Sequence, residues 1–504
     1  MTAVHPDAIN RRAGLRAGTG AATDNDAAPT GPAQPRFPLA ARALRPGSAA
    51  AMASALAPSD LAPADLASSH VAAPGLATPG IAPSRRGPAR PVSTAARVAQ
   101  VARAPRNYPL YLFLVLLPLQ NITTGYLPNM GGGVNFLNVM FLLSLATAFM
   151  VRGGLAHGEP INFWAMAYAV YAAVSLSIGY QYVSDTETHF NQLKDHLIAV
   201  FMLYVVQMSV RDWQGVRLII LAMLVPLPYI AKVVWVQHTS VARDHYTDDL
   251  RISGTFSLLG ANEFAAFCVT VAVVLFALLL ACRLSRKWRL LLAGGIACMV
   301  LGVLYAYSRT AYISLIVGMV AVILVWRGRW KLILPLVLAA ALLPAVLPSS
   351  VVERFDSTTV EEGQRDESTE MRIEYWKVAW ANFLRHPVVG TGFHTFHHRE
   401  INPYGKDTHN LYIRTLSEGG VIGAVMLLGV LLSVLYAAWR GLTRSRSGTW
   451  QYALALGLLG AWLSMLISNL FGDRFTYYPV VAYFWTYVAL VVKARHLPPE
   501  DVAR

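Results

Sequence analysis

The chain has 504 residues, of which 55% are hydrophobic and only 14% charged, and it carries a formal net charge of +14. A soluble protein holds nearer a quarter charged residues, and blocks such as "LILPLVLAAALLPAVL" and "VVAYFWTYVALVV" have the composition of bilayer-spanning helices, so a soluble enzyme is excluded. The basic excess does not imply nucleic acid, because the Lys and Arg residues sit in the N-terminal tail and in short loops between apolar blocks, the pattern of charge-biased membrane topology.

Residues 1 to about 106 are rich in Ala, Pro, Gly and Arg, contain no Lys or Glu, and show no early apolar core of signal-peptide type. Such a composition buries too little apolar surface to offset ordering entropy. The expectation is a disordered cytoplasmic tail, with Met52 an alternative start. From Tyr108 the apolar periodicity predicts about twelve transmembrane helices, at roughly 109–127, 134–151, 163–182, 195–210, 215–236, 262–283, 290–307, 310–326, 332–348, 421–439, 451–470 and 476–493. The domains expected are the tail (1–106), a first helix block (107–348), an external loop (349–420), C-terminal helices (421–495) and a short tail (496–504).

Basic loops set the orientation. "RVAQVARAPR", "VRGG", "RDWQGVR", "CRLSRKWR", "WRGRWK", "WRGLTRSR" and "VKARH" all fall on one side of a twelve-span arrangement, which makes that side and both termini cytoplasmic. The agreement requires a break at Arg309, since one long span there would invert everything downstream. The three cysteines, Cys268, Cys282 and Cys298, lie in or beside apolar blocks and read as small packing residues.

Two long loops remain on the external side, at about 237–261 and 349–420. The second contains "STEMRIEYWKVAWANFLRHP", where Ile373, Trp376, Trp380 and Phe383 form one helical face. Ser368 or Thr369 suits the N-cap, Glu370 the positive N-terminus, and Pro387 with Gly390 the end. The Trp-rich face belongs at a membrane surface.

Polar residues cluster beside apolar blocks on this side: Arg251, Asn262, Arg309, Arg372, His409, Asn410 and Glu418. Arg309 reads either as a loop residue snorkelling to the interface or as the planar, permanently charged fork of an anion site. His409 reads either as an interfacial hydrogen-bonding residue or as a general base, since imidazole takes up a proton near neutrality. No phosphate-binding glycine loop is present. His394 and His398 are four apart in "FHTFHHRE", but no acid-and-His signature follows, so neither a nucleotide nor a metal site is indicated and no cofactor is expected.

"GTFSLLGANEFAAF", "YSRTAYISL", "MRIEYWKVAWANFLRHPVVGTGF" and "THNLYIRTLSEGGVIG" resemble, in order and spacing, the O-antigen ligase and polymerase superfamily over about residues 250–430. The resemblance implies a bacterial inner-membrane glycosyltransferase whose active site faces the periplasm. Such an enzyme takes a glycan from undecaprenyl diphosphate and delivers it, without a metal, to a hydroxyl of lipid A–core or of another glycan. It implies that Arg251, Arg309 and Arg372 hold the diphosphate, that His409 activates the acceptor, that Glu418 is the acid paired with the catalytic motif, and that Asn410 and Asn262 orient groups or bind glycan. Ligase and polymerase share these motifs. The rival class, a lipid-linked glycan flippase, would spread polar residues more evenly through its spans.

Overall fold

The structure, a computed structural model, describes residues 105–120, 135–183, 185–241, 250–256, 260–332 and 367–499. The expected tail up to residue 104, the ninth expected span and residues 349–366 of the large loop lie outside the described residues. Among the described residues the chain is helical, with one isolated bridge between Cys282 and Gly448 and no strand. The helices are α1 (Tyr108–Leu116), α2 (Phe136–Val151), α3 (Pro160–Gly179), α4 (Thr186–Ser209), α5 (Trp213–Leu224), α6 (Leu227–Val241), α7 (Ala261–Ala281), α8 (Arg286–Tyr305), α9 (Arg309–Val325), α10 (Glu367–Arg385), α11 (Leu411–Arg444), α12 (Trp450–Ser468) and α13 (Tyr478–Ala494).

Among the described residues, six segments are long and apolar enough to cross a membrane: those built on α3, α5 with α6, α7, α8, α11 and α12. Helices α1, α2, α9 and α13 are apolar but shorter. Helices overlap the described parts of the other eleven expected segments, the first of which is described only to residue 120. The span expected at 215–236 is interrupted between Leu224 and Leu227, where Pro226 lacks the amide to continue the ladder. The break required at Arg309 is present: α8 ends at Tyr305 and α9 begins at Arg309, with Tyr307 at φ 47° between them.

Helix α7 is buried along almost its whole length, and so are α12 and α13. These three form the centre. The outer helices expose large apolar side chains, among them Met150, Phe163, Leu290 and Leu428. In water this would be a liability; against hydrocarbon it is the favourable surface.

The basic loops meet one another. Arg106 makes a forked contact to Asp212 at 2.8 and 2.9 Å, Lys493 donates to the carbonyls of Gly153 and Gly154, and the Arg327 guanidinium donates to the Leu442 and Ser445 carbonyls. At the other end, the Ile252 amide bonds Tyr305 and the Leu411 amide bonds Asn469 and Gly472.

The feature that shapes this second end is a kink in α11 at Gly420 (φ 57°, ψ −157°). A kink orphans backbone groups that an unbroken helix would pair. Here the loop after α10 takes them up: Thr391 and Gly392 amides donate to the Ser417 and Glu418 carbonyls, and Val421 and Ile422 amides donate to Pro387 and Val388. A Cβ on Gly420 would stand 2.5 Å from the Val388 carbonyl carbon, so no other residue fits. Gly420→Ala is expected to cost ~1–3 kcal/mol from the glycine-only backbone conformation alone, with the steric overlap added. The check is the thermal midpoint of the detergent-purified protein. An unchanged midpoint would mean that the kink does not dock the loop.

Candidate active site

The loop 386–410 enters α11 through a sharply ordered turn. Asn410 is the N-cap, its Oδ1 accepting from the Tyr412 and Ile413 amides at 3.0 and 3.1 Å and its Nδ2 donating to the Leu470 carbonyl. Asn is among the best residues for this position, and all of its side chain is used. Just before it, His409 has φ 51°, a conformation that costs a non-glycine residue roughly 1–2 kcal/mol and persists only where the surroundings over-determine it. They do so here. Thr408 is clamped by Asp407 Oδ1, by its hydroxyl donating to the Asn410 carbonyl, and by the Trp376 indole, which donates to the Thr408 carbonyl at 2.9 Å. The His409 side chain is left half-buried, within electrostatic range of Arg372, Arg414, Asp473 and Arg474. Burial first, then Arg372, hold its pKa below the ordinary histidine value. The imidazole is therefore neutral at pH 7 and able to accept a proton.

Beneath the turn lies Arg414, which sequence reasoning missed. It is 3% exposed and every arm of its guanidinium is engaged. Nε donates to Glu418 Oε2 at 3.0 Å, Nη1 to Asp407 Oδ2 at 3.1 Å and to Asp473, and Nη2 to His394 Nδ1. Burial pushes Asp407 well above the usual carboxylate range, with Asp473 beside it adding to the rise. Asp473 is buried too, yet Arg414 outweighs that and holds it down at about 2. The spacing of Arg414 and Glu418, four apart on one helix, was a usable signal. Asp473, 59 residues downstream of Arg414, gave none.

Glu418 is fully committed. Besides Arg414, it accepts from the His394 amide at 3.1 Å and the Phe396 amide at 2.9 Å, so both oxygens tie the post-α10 loop to α11. Asp473 is followed by Arg474, which pairs with Glu263 on α7. Next to Glu263, Asn262 accepts from Arg251 Nη2 at 2.7 Å. Arg251 Nε is buried without a hydrogen-bond partner among the described residues. The expected site residues thus fall at one end of the bundle. Arg251 and Asn262 bond directly, Arg372 faces His409, and Asn410 and Glu418 brace the His409 turn. Arg309 opens α9 at the same end, behind Ser308.

The amphipathic helix α10 begins at Glu367. Tyr375 and Ala379 are buried, with Phe396 and Ile401, in a small satellite core. Trp380, Leu384 and Val388 are exposed. Of the predicted face, Trp380 is exposed while Ile373, Trp376 and Phe383 are half-buried, and Trp376 is held by its bond to the Thr408 carbonyl; Val421 and Val425 of α11 are exposed as well.

On the far side of Arg414 are several imidazoles. The His394 and His397 rings are 4.5 Å apart, His397 and His398 4.1 Å, and His189 and His398 6.2 Å. Among the described residues, no group of three or more His, Cys, Asp or Glu side chains is disposed to hold a metal ion. A neighbouring open pocket, with about 60 Å³ for water-sized groups, is lined by Tyr168, Tyr171, His196, Phe393, Arg414 and Glu418 among others.

Burial, then His398, Arg414 and His189, lower His397 from 6.5 to about 4. An imidazole held neutral in the folded state contributes stability that is fully present above pH 6.5 and is lost as the pH falls toward 4. The thermal midpoint is expected to drop across that window, and His397→Gln to flatten the drop. A midpoint that rises on acidification would contradict the placement of the cluster.

Residues 294–428 match the family model described as O-antigen ligase. That segment runs from the middle of α8 past the kink of α11 and contains Arg309, Arg372, His409, Asn410, Arg414 and Glu418. No curated protein matches the chain.

Proposed function

We propose, for a chain that belongs to the O-antigen ligase superfamily through residues 294–428, that it is a membrane glycosyltransferase. In this reading it moves a glycan from undecaprenyl diphosphate to an acceptor hydroxyl of lipid A–core or of another glycan, at the periplasmic face of the bacterial inner membrane. The observation that carries the reading is the His409 turn. A neutral, half-buried imidazole is held by a strained and fully braced backbone, at the end of the bundle that also bears Arg251, Arg309 and Arg372.

The chemistry is a single displacement. His409 takes the proton of the acceptor hydroxyl as its oxygen attacks the anomeric carbon. The bond from that carbon to the diphosphate oxygen breaks, the electron pair leaves with the diphosphate, and the configuration inverts. Arg251, Arg309 and Arg372 offset the charge that develops on the leaving group. The buried Nε of Arg251, with Asn262 fixing the other end of the guanidinium, supports that role. Glu418 has no oxygen free of backbone or Arg414 and acts by positioning. Asn410 does the same as the cap of α11. Ligase and polymerase differ only in the acceptor, and the geometry serves both. Clustering of the charged side chains at one end of the bundle favours this reading over a flippase, whose polar path would run through the spans.

His409→Ala is expected to slow glycan transfer by ~10²–10⁴-fold while donor binding by the purified, bilayer-reconstituted protein stays near wild type. Transfer at the wild-type rate would remove His409 from the mechanism. Donor binding lost in proportion to activity would make it a binding residue instead.

A further inference from the structure

At the opposite end of the bundle a groove of about 550 Å³ runs down the outside of α8, between that helix and the α5–α6 break. It is lined by Leu224, Pro228, Leu290, Leu291, Gly294, Gly295 and Cys298, with Lys287 at its mouth. Two adjacent glycines create it. A Cβ on Gly295 would meet Leu224, Leu275 and Leu227 at 2.8–3.3 Å, so that glycine lets α5, α6 and α7 approach α8. A Cβ on Gly294 would meet nothing within 4 Å, so that glycine leaves the groove open. Leu290 and Leu291, on its wall, are exposed.

Charge and length identify the occupant. Lys287 is exposed at the mouth, Arg286 precedes it at the exposed start of α8, and the sequence from 281 to 308 contains no Asp or Glu. At 1.5 Å per residue, Lys287 and Cys298 are about 16 Å apart along α8, close to the thickness of one leaflet of a ~30 Å hydrocarbon core. A cation thus stands at one end of an apolar channel about one acyl chain long. We infer that this groove binds an anionic glycerophospholipid, its headgroup phosphate on Lys287 and one acyl chain along Gly294. The site is independent of the glycosyl-transfer reading, since it lies at the end of the bundle away from His409.

The test is native mass spectrometry of the detergent-purified chain, supplied with phosphatidylglycerol or with phosphatidylcholine. Wild type is expected to retain phosphatidylglycerol preferentially. Lys287→Gln should weaken that retention about fivefold, the factor one cation contributes near an anionic lipid surface. Gly294→Leu, which fills the groove without a clash, should abolish the preference with the protein still monodisperse. Equal retention of both lipids, or phosphatidylglycerol retained undiminished by Gly294→Leu, would overturn the assignment. So would a dimer in the wild type that Gly294→Leu dissociates, which would give the groove to a second copy of the chain.

Discussion

A buried guanidinium is the constraint on which the candidate site depends. Arg414 cannot be left unpaired at 3% exposure, because an isolated buried charge is too costly. Asp407, Glu418 and Asp473 surround it, and each comes from a different stretch of backbone: the incoming loop, α11 itself, and the turn between α12 and α13. Three carboxylates exceed one arginine. The excess is relieved by the raised pKa of Asp407 and by the two amides that donate to Glu418. Removing one partner from such a buried network typically costs ~3–5 kcal/mol, so these elements are locked in register, and the His409 turn with them.

The lock extends outward through chain neighbours. Arg474 follows Asp473 and pairs with Glu263 on the central helix α7; Asn262 precedes Glu263 and holds Arg251. A continuous set of charge-assisted contacts thus runs from the turn that carries the proposed base to an arginine proposed to meet the diphosphate. The kink at Gly420 serves the same end. By releasing backbone groups of α11 to the loop after α10, it brings Glu418 and the loop amides within hydrogen-bonding distance.

Much of this was legible in the sequence, and what was not has physical causes. Helix positions follow from hydropathy, and the break at Arg309 from charge alternation, because both are local or additive signals. The proposed site residues Arg251, Asn262, Arg309, Arg372, His409, Asn410 and Glu418 were visible as polar groups beside apolar blocks. Their division of labour was not. Asn410 and Glu418 look equally available in sequence, yet every oxygen they own is bonded to backbone or to Arg414. Asp473 enters from far along the chain, and nothing local marks it. The protein-facing side of α10 was concealed for a different reason. At a lipid surface both faces of a helix can be apolar, so periodicity identified the Trp380 side, and burial of Tyr375 and Ala379 shows the other side turned inward.

If His409 is a base tuned by this charged frame, the pH dependence of glycan transfer must follow the charges around it. Asp473 favours the protonated imidazole and Arg372 opposes it. Relative to wild type, the acidic limb of the rate profile should therefore move to lower pH in Asp473→Asn and to higher pH in Arg372→Gln, beyond any common loss of rate. Acidic limbs that coincide in all three proteins, or that move in the reverse sense, would contradict it.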